Sequence, residues 1–155
     1  MNITVERAIQ PMPEVHHLIG ELNDVLGAAY EPHQRHGLSV EQLFEPYVRF
    51  FLARLDGIAM GCGGVALFAD HSEVKRMYTR PAARGLGLAK ALLRRIEDEA
   101  RAVGAPVLRL ETGIHQQEAI GLYKSTGFRP CRSFGPYAMM SPNKIETSLF
   151  FEKGL

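Results

Sequence analysis

The sequence predicts an α/β protein built on one mixed sheet. Strand-like segments come first, and strands and helices then alternate, an order typical of a sheet with helices packed on it. Two apolar runs joined by Asp56-Gly57 predict a β-hairpin, and a glycine-bearing loop after a further strand opens a long amphipathic helix. The chain has 155 residues, of which 46% are hydrophobic, which is enough for one core. We therefore predict a single domain over residues 1–155.

The first elements follow from periodicity and capping. Alternation of apolar and polar residues over 3–8 predicts a strand, and apolar residues at helical spacing over 13–29 predict the first helix. Ser39 is of the residue type favoured at an N-cap, which predicts a short second helix that runs through Leu43 and ends near Pro46.

The hairpin and the elements beyond it follow next along the chain. Its arms are predicted over 47–55 and 58–67, and glycines in the second arm indicate a bulge or the close approach of another backbone. Those glycines are Gly61, Gly63 and Gly64. The remaining predicted elements are strands over 73–79, 107–111, 129–133 and 145–152, a helix from Leu88 that stops at Gly104, and a helix over 116–125.

The loop Arg84–Ala89 lies between a predicted strand and a predicted helix. Its small residues leave the first backbone N–H groups of the helix open to an anion, and the helix dipole favours negative charge at that end. Arg80 and Arg84 add positive charge at the same place. We therefore expect this loop to bind a ligand that carries phosphate.

Three phosphate-binding patterns compete for this loop. A P-loop requires a Lys-Ser/Thr pair that is absent here. A dinucleotide fingerprint requires its last small residue one position after Ala89, where Lys90 stands. The third pattern, Gln/Arg-x-x-Gly-x-Gly/Ala, is matched by Arg84, Gly87 and Ala89. It is the pyrophosphate loop of the GNAT superfamily of acyl-CoA-dependent N-acetyltransferases.

Two flanking segments resemble the same superfamily. Residues 77–81, Met-Tyr-Thr-Arg-Pro, are similar to the end of its fourth strand, and residues 119–128 match its pattern A-x-x-L-Y-x-x-x-G-F. The likeness is close over 48–131 and looser over the whole chain. It implies the GNAT fold, in which a mostly antiparallel sheet of about six or seven strands splays between strands 4 and 5 and is flanked by about four helices.

The resemblance also implies acetyl-CoA as the acetyl donor. Its pantetheine arm would bond the backbone of strand 4 like an added strand, its pyrophosphate would bind the N–H groups of the loop, and a backbone N–H near Met77 or Tyr78 would polarise the thioester carbonyl. The position three residues before Ala119, often Asn in the family, is Gln116, whose longer amide can make the same contact. The expected cofactor-binding residues are Met77, Tyr78, Thr79, Arg84, Gly85, Leu86, Gly87, Leu88, Ala89, Lys90 and Gln116.

The chemistry that the resemblance implies is direct attack of an amine on the thioester. Tyr123 stands at the position of the family's usual general acid, which protonates the leaving thiolate. An amine with a pKa near ~10 must first lose a proton, so a base is also needed. Glu73 is the first candidate, because it lies four residues before Met77 on what we expect to be the same strand face, and Glu111 is the second, acting directly or through water. The alternative role of Glu73 is an ion pair with Lys75 or Arg109 on an exposed strand face.

Composition and charge disfavour several other classes of function. The formal net charge of +1 gives no overall field for nucleic acid or an anionic membrane, and no apolar run is long enough to span a bilayer. No secretory signal is evident, so we expect a cytoplasmic location with reduced cysteines. Cys62 and Cys131 are expected to be small buried hydrophobes. His33 and His36 lack further ligands, so we predict no metal site.

The expected function is transfer of an acetyl group to a primary amine of a small-molecule acceptor. A protein or peptide amine acceptor, and a non-catalytic acyl-CoA-binding sensor on the same fold, are the alternatives. We expect the acceptor to contact the first two helices and the loops over 31–39 and 134–142, whose shapes the sequence leaves open. By analogy with such folds, a homodimer formed through the last strands is also expected.

Overall fold

The computed structural model describes the whole chain, Met1 to Leu155. Its strands are β1 (Ile3–Ala8), β2 (Val48–Leu55), β3 (Ile58–Leu67), β4 (Ser72–Thr79), β5 (Val107–Gly113), β6 (Arg129–Pro130) and β7 (Ser148–Gly154). Its helices are α1 (Pro13–Ala29), α2 (Leu88–Ala102), α3 (Gln117–Ser125) and α4 (Pro142–Ile145), and single turns of 3₁₀-helix occur at Pro32–Gln34, Gln42–Phe44, Pro81–Ala83 and Gly135–Met139.

The seven strands form one mixed sheet in the order β1-β2-β3-β4-β5-β7-β6. All neighbouring strands are antiparallel except β4 and β5, which run parallel and pair only at Ser72 with Leu108 and Glu73 with Arg109. Beyond these two pairs β4 and β5 diverge, so each has a free edge toward its C-terminal end. The predicted mixed sheet and its splay between the fourth and fifth strands are confirmed.

Two apolar cores lie on opposite faces of this sheet. Phe50 and Phe51 are neighbours on β2, so their side chains point to opposite faces, and each belongs to a different core. Leu92 and Ile96 of α2 pack in the core with Phe51, while Leu18 of α1 packs in the core with Phe50. The sheet is therefore held between α1 on one side and α2 with α3 on the other.

The hairpin forms as predicted, with Asp56 and Gly57 both at positive φ (+49° and +86°). This is the conformation of a two-residue turn whose twist matches that of the flanking strands, and it explains why Asp-Gly stands there. The irregularity predicted for the glycine-rich arm is also present, because the pairing of β2 with β3 shifts between Ala53 and Arg54.

A second bulge lies in β4 at Arg76, which the sequence did not reveal. Pairing with β3 jumps from Gly64 opposite Lys75 to Cys62 opposite Tyr78, and Arg76 has a φ of +57°. The extra residue changes the alternation of side chains, so that Met77 points to the α2 face together with Val74. The expectation that Glu73 and Met77 share a strand face is therefore wrong.

The boundaries of other helices and strands differ from the predicted ones where local packing determines them. The predicted second helix is only a 3₁₀ turn, although Ser39 does cap it: the Gln42 N–H donates to Ser39 Oγ (3.2 Å), and the Ser39 N–H donates to the Gln42 side chain (2.9 Å). After Cys131 the chain leaves the sheet, because Phe134 folds back onto other aromatic rings. The last strand consequently begins later than predicted, after the short helix α4.

The two cysteines are free thiols in different surroundings. Cys62 is fully buried, as predicted, and burial raises the pKa of its thiol to about 12. Cys131 is only partly buried, so that prediction is wrong in part. None of the helices combines the length and apolar character needed to cross a membrane.

Candidate functional site

The splay between β4 and β5 opens into a cavity of ≈ 830 Å³, which we call the donor cavity. Its walls are the end of β4, the loop before α2, and the first turns of α3. The predicted residues that line it are Met77, Tyr78, Thr79, Arg84, Gly85, Leu86, Gly87, Leu88, Ala89, Lys90, Gln116 and Tyr123. Segments that are far apart in the sequence thus meet in one place, whereas Glu73 and Glu111 do not line this cavity.

The loop before α2 presents a row of free backbone donors to the donor cavity. The first helical bond runs from Ala91 N to Gly87 O (3.0 Å), so no carbonyl of the helix accepts from the six N–H groups between Gly85 and Lys90. Gly85 and Gly87 have φ values of +79° and +96°, a region that side chains disfavour. Free donors at the positive end of a helix form an arrangement that binds phosphate.

The two arginines near this loop have different roles. Arg84 lines the donor cavity, where its Nε donates to Thr79 O (3.2 Å). Arg80 instead forms paired hydrogen bonds with the Glu21 carboxylate of α1 (2.8–3.1 Å). Arg84 forms only a longer ion pair, with the exposed Glu118 (3.4 Å), and unlike Arg84, Arg80 does not line the donor cavity. The expectation that Arg80 serves the anion is therefore wrong.

A second, smaller cavity of ≈ 120 Å³, the acceptor cavity, lies between α1, the 34–37 segment and the splay. The two cavities share a wall formed by five residues, Leu22, Met77, Gln116, Ala119 and Tyr123. Tyr123 therefore lies where the two cavities meet.

The Tyr123 side chain is buried, with its ring packed edge-on against Phe128 (5.6 Å between centroids). Burial, assisted by the negative charge of Glu111, raises the pKa of its hydroxyl. The hydroxyl consequently stays protonated at ordinary pH, so it is able to donate a proton.

Glu111 of β5 lines the acceptor cavity. Its carboxylate accepts a hydrogen bond from Ser148 Oγ (2.6 Å). Burial raises the pKa of this carboxyl, and the hydrogen bond from Ser148 only partly opposes that shift. A carboxylate with a raised pKa is a stronger base than an ordinary one, which suits proton abstraction from an amine.

Glu73 has a different environment and lines neither cavity. It is buried, and its Oε2 accepts from Tyr137 Oη (2.6 Å) and Lys75 Nζ (3.2 Å). Lys75 Nζ also donates to Tyr137 Oη (3.1 Å), so the three side chains form one network under the 134–142 loop. The pairing with Lys75 suggested by the sequence is present, but in a buried rather than an exposed position.

Several residues at the site carry no sequence motif. Tyr30, at the end of α1, donates from its hydroxyl to Gln116 Oε1 (3.0 Å) and accepts from the His115 N–H (2.9 Å). Its ring lies so close to Gly113 that a side chain there would collide with it. Tyr30 thus fixes the start of α3 against α1. In the sequence, the only signal for this role of Tyr30 is an aromatic residue at the end of a helix. That helix end adjoins a loop that was already expected to shape the acceptor site.

No cluster of three or more His, Cys, Asp or Glu side chains is arranged to hold a metal ion. Of the histidine pair noted in the sequence, His36 lies with its Nε2 2.7 Å from Lys144 O and its ring edge-on to Tyr137. It therefore helps to hold α4 and the 134–142 loop together.

The sequence and the fold are similar to those of known proteins. Residues 16–128 match the model of the Acetyltransferase (GNAT) family. IAA acetyltransferase from Azospirillum brasilense is 42% identical over 156 residues, which cover 99% of each chain. A structure assigned to the acyl-CoA N-acyltransferases, from Klebsiella pneumoniae, is 34% identical with a TM-score of 0.78 and covers 99% of this chain and 97% of the other. PaiA N-acetyltransferase from Thermoplasma acidophilum, solved with coenzyme A, shares the fold over 100% of both chains at 15% identity and a TM-score of 0.73.

The raised pKa of Glu111 makes a prediction about stability. A carboxyl whose pKa is higher in the folded state contributes stability that is fully present below its ordinary value of 4.5 and is lost as pH rises through the folded value. The neutral variant Glu111→Gln has no carboxyl to titrate, so it does not undergo this loss of stability as pH rises. Urea unfolding between pH 4 and 8 should show the free energy of unfolding of the wild type falling relative to that of Glu111→Gln as pH rises. The exposed-site variant Glu41→Gln is the control, and a pH-independent difference for Glu111→Gln would contradict the assignment.

Proposed function

The chain belongs to the GNAT family of acetyltransferases and is an acetyl-CoA-dependent acyltransferase, and on this premise we propose that its acceptor is a primary amine of a small molecule. The observation that carries the proposal is the meeting of a large donor cavity and a small acceptor cavity at Tyr123. One cavity suits the phosphates and extended arm of the donor, and the other leads to the place where an acetyl group would be transferred.

The residues of the donor cavity fit acetyl-CoA, which supplies the acetyl group as a reactive thioester. The free N–H groups from Gly85 to Lys90 are placed to hold its pyrophosphate. The edge of β4 beyond Glu73 has no partner on the β5 side, so its backbone can bond an extended amide chain. Gln116, held by Tyr30, supports the same wall.

Tyr123 is the proposed general acid. Tyr123 lines both cavities and its hydroxyl is protonated, so it is available to donate a proton to the thiolate as the C–S bond breaks. The amine nitrogen gives up a proton as the new C–N bond forms, and this proton balances the one that the thiolate takes up. The net reaction converts the amine and the thioester into an amide and a free thiol.

Glu111 is the proposed general base. It lines the acceptor cavity, and its raised pKa allows it to accept a proton from an ammonium group, directly or through water. Glu73 is engaged with Tyr137 and Lys75 and lines neither cavity, so we assign it to the support of this region. The order of the two candidates is thus the reverse of the one that the sequence favours.

The size of the acceptor cavity favours a small molecule over a peptide. Its volume of ≈ 120 Å³ is below the roughly 150 Å³ of an engineered protein cavity that binds benzene.

The direct test is release of free thiol from acetyl-CoA in the presence of a panel of acceptors. The panel should contain small primary amines, peptides with free N-termini, and IAA, after which the Azospirillum brasilense relative is named. We expect turnover with small amines. Turnover with peptides alone would establish a protein acceptor, and tight acetyl-CoA binding without any thiol release would establish a sensor.

We predict that Tyr123→Phe lowers kcat by about 100-fold, which is typical for the loss of a general acid. The change removes only the hydroxyl, so the dissociation constant of acetyl-CoA measured by equilibrium binding should stay within about twofold of the wild type. Tyr47→Phe, a change in a tyrosine that lines neither cavity, serves as the control. An unchanged kcat for Tyr123→Phe when chemistry limits the rate would remove Tyr123 from the mechanism.

A comparison of Glu111→Gln with Glu73→Gln separates the two candidate bases. We expect Glu111→Gln to lose the acidic limb of the kcat/KM profile that reports this carboxylate and to keep only the rise at higher pH that follows deprotonation of the acceptor amine itself. We expect Glu73→Gln to keep that limb. Loss of the limb in Glu73→Gln alone would reverse the assignment, and its persistence in both variants would exclude both carboxylates.

A further inference from the structure

Two arginines stand at the wall of the acceptor cavity without a carboxylate partner. Arg35 follows the 3₁₀ turn after α1, and Arg76 occupies the bulge of β4. The Nε atoms of both side chains are buried and have no hydrogen-bond acceptor. The only side-chain acceptor of Arg76 is the Asn23 amide oxygen, which is uncharged. The acceptor cavity therefore holds two cations whose charges the protein does not match.

This arrangement is costly to the folded chain. Burial lowers the pKa of Arg76, and the neighbouring positive charge of Arg35 acts in the same direction. Arg76 also holds a backbone φ of +57°, which residues other than glycine rarely adopt. An unpaired, partly buried charge and backbone strain in one residue are the pattern expected where a ligand completes the interaction.

The surroundings are shaped to keep both guanidinium groups in place. Gly37 has no side chain, and a Cβ there would collide with the Arg76 guanidinium. A Cβ on Gly27 would lie 3.4 Å from an Arg35 guanidinium nitrogen, at the limit of close contact. The backbone thus leaves room for two planar cations against the cavity.

The anion that would pair with these two cations does not belong to acetyl-CoA. The phosphate-binding loop opens into the donor cavity, and neither Arg35 nor Arg76 lines that cavity. The missing negative charge must therefore belong to the acceptor. A guanidinium group matches the two oxygens of a carboxylate in one plane, and a carboxylate is the smaller of the anions that arginine binds in this way.

We propose that the acceptor is an amino acid or a similar small amine that carries a carboxylate, and that Arg35 and Arg76 bind this carboxylate. The inference rests on the proposed acetylation of a small primary amine and names its substrate class. Glu111 lines the same cavity, so the acceptor lies between two cations that bind its carboxylate and an anion that receives a proton from its amine.

Matched acceptors test the proposal. Each amino acid is compared with its carboxamide, its decarboxylated amine and the corresponding aminophosphonate, with thiol release as the readout. We expect the amino acid to have the highest kcat/KM. Arg35→Gln and Arg76→Gln should each raise its KM by about 10- to 100-fold, as for loss of a hydrogen bond between charged groups, and leave the KM of acetyl-CoA unchanged. The exposed Arg94→Gln on α2 is the matched control.

Binding measured without turnover keeps the test independent of catalysis. Equilibrium dialysis with coenzyme A present should show that an N-acetylated amino acid binds more tightly than its amide, and that Arg35→Lys weakens this preference while the fold, judged by circular dichroism, is retained. Equal binding or equal turnover of acids and amides, or a preference for the aminophosphonate, would overturn the carboxylate site. Selective binding of acids with no thiol release from any amine would overturn the proposed acetyl transfer and leave the carboxylate site standing.

Discussion

The site depends on how little β4 and β5 pair. Two residue pairs, Ser72 with Leu108 and Glu73 with Arg109, join these parallel strands before they separate. A longer ladder would close the gap that opens into both cavities, and no ladder at all would divide the sheet. Packing from both sides makes the short ladder sufficient, because α1 covers one face and α2 covers the other. The core thus supplies the stability that is missing from the hydrogen bonds between these strands.

The two cavities use different means to attract negative charge. The donor cavity relies on backbone N–H groups and the end of a helix, which are fixed by local geometry and hold a phosphate without a buried cation. The acceptor cavity relies on guanidinium groups contributed by two separate segments. Backbone N–H groups recognise a chemical group that all acyl donors of one class share. Side chains, in contrast, can be replaced by substitution. The division assigns general recognition to the main chain and specific recognition to side chains.

The sequence predicted the structure correctly where the type of residue is tied to a particular backbone conformation. Gly85 and Gly87 adopt the positive φ values that a phosphate-binding turn requires, and Asp56 and Gly57 form the expected hairpin turn. The bulge at Arg76 was invisible, because an arginine carries no signal for positive φ, and the face assigned to Glu73 was wrong for that reason. Contacts made across the fold, such as the network around Tyr137 or the approach of two arginines, depend on loops whose paths are set by tertiary packing.

The shared wall at Tyr123 also divides the site into two halves that come largely from different parts of the chain. The donor cavity is built mainly by residues 77–90 and 115–123, and the acceptor cavity takes Arg35 and its neighbours from residues 26–37 and Arg76 and Glu111 from the sheet. If the acceptor binds as proposed, substitutions in residues 26–37 would change which acceptor fits and leave the lining of the donor cavity unchanged. The choice of acceptor could then change through one short stretch of chain while the donor cavity is kept.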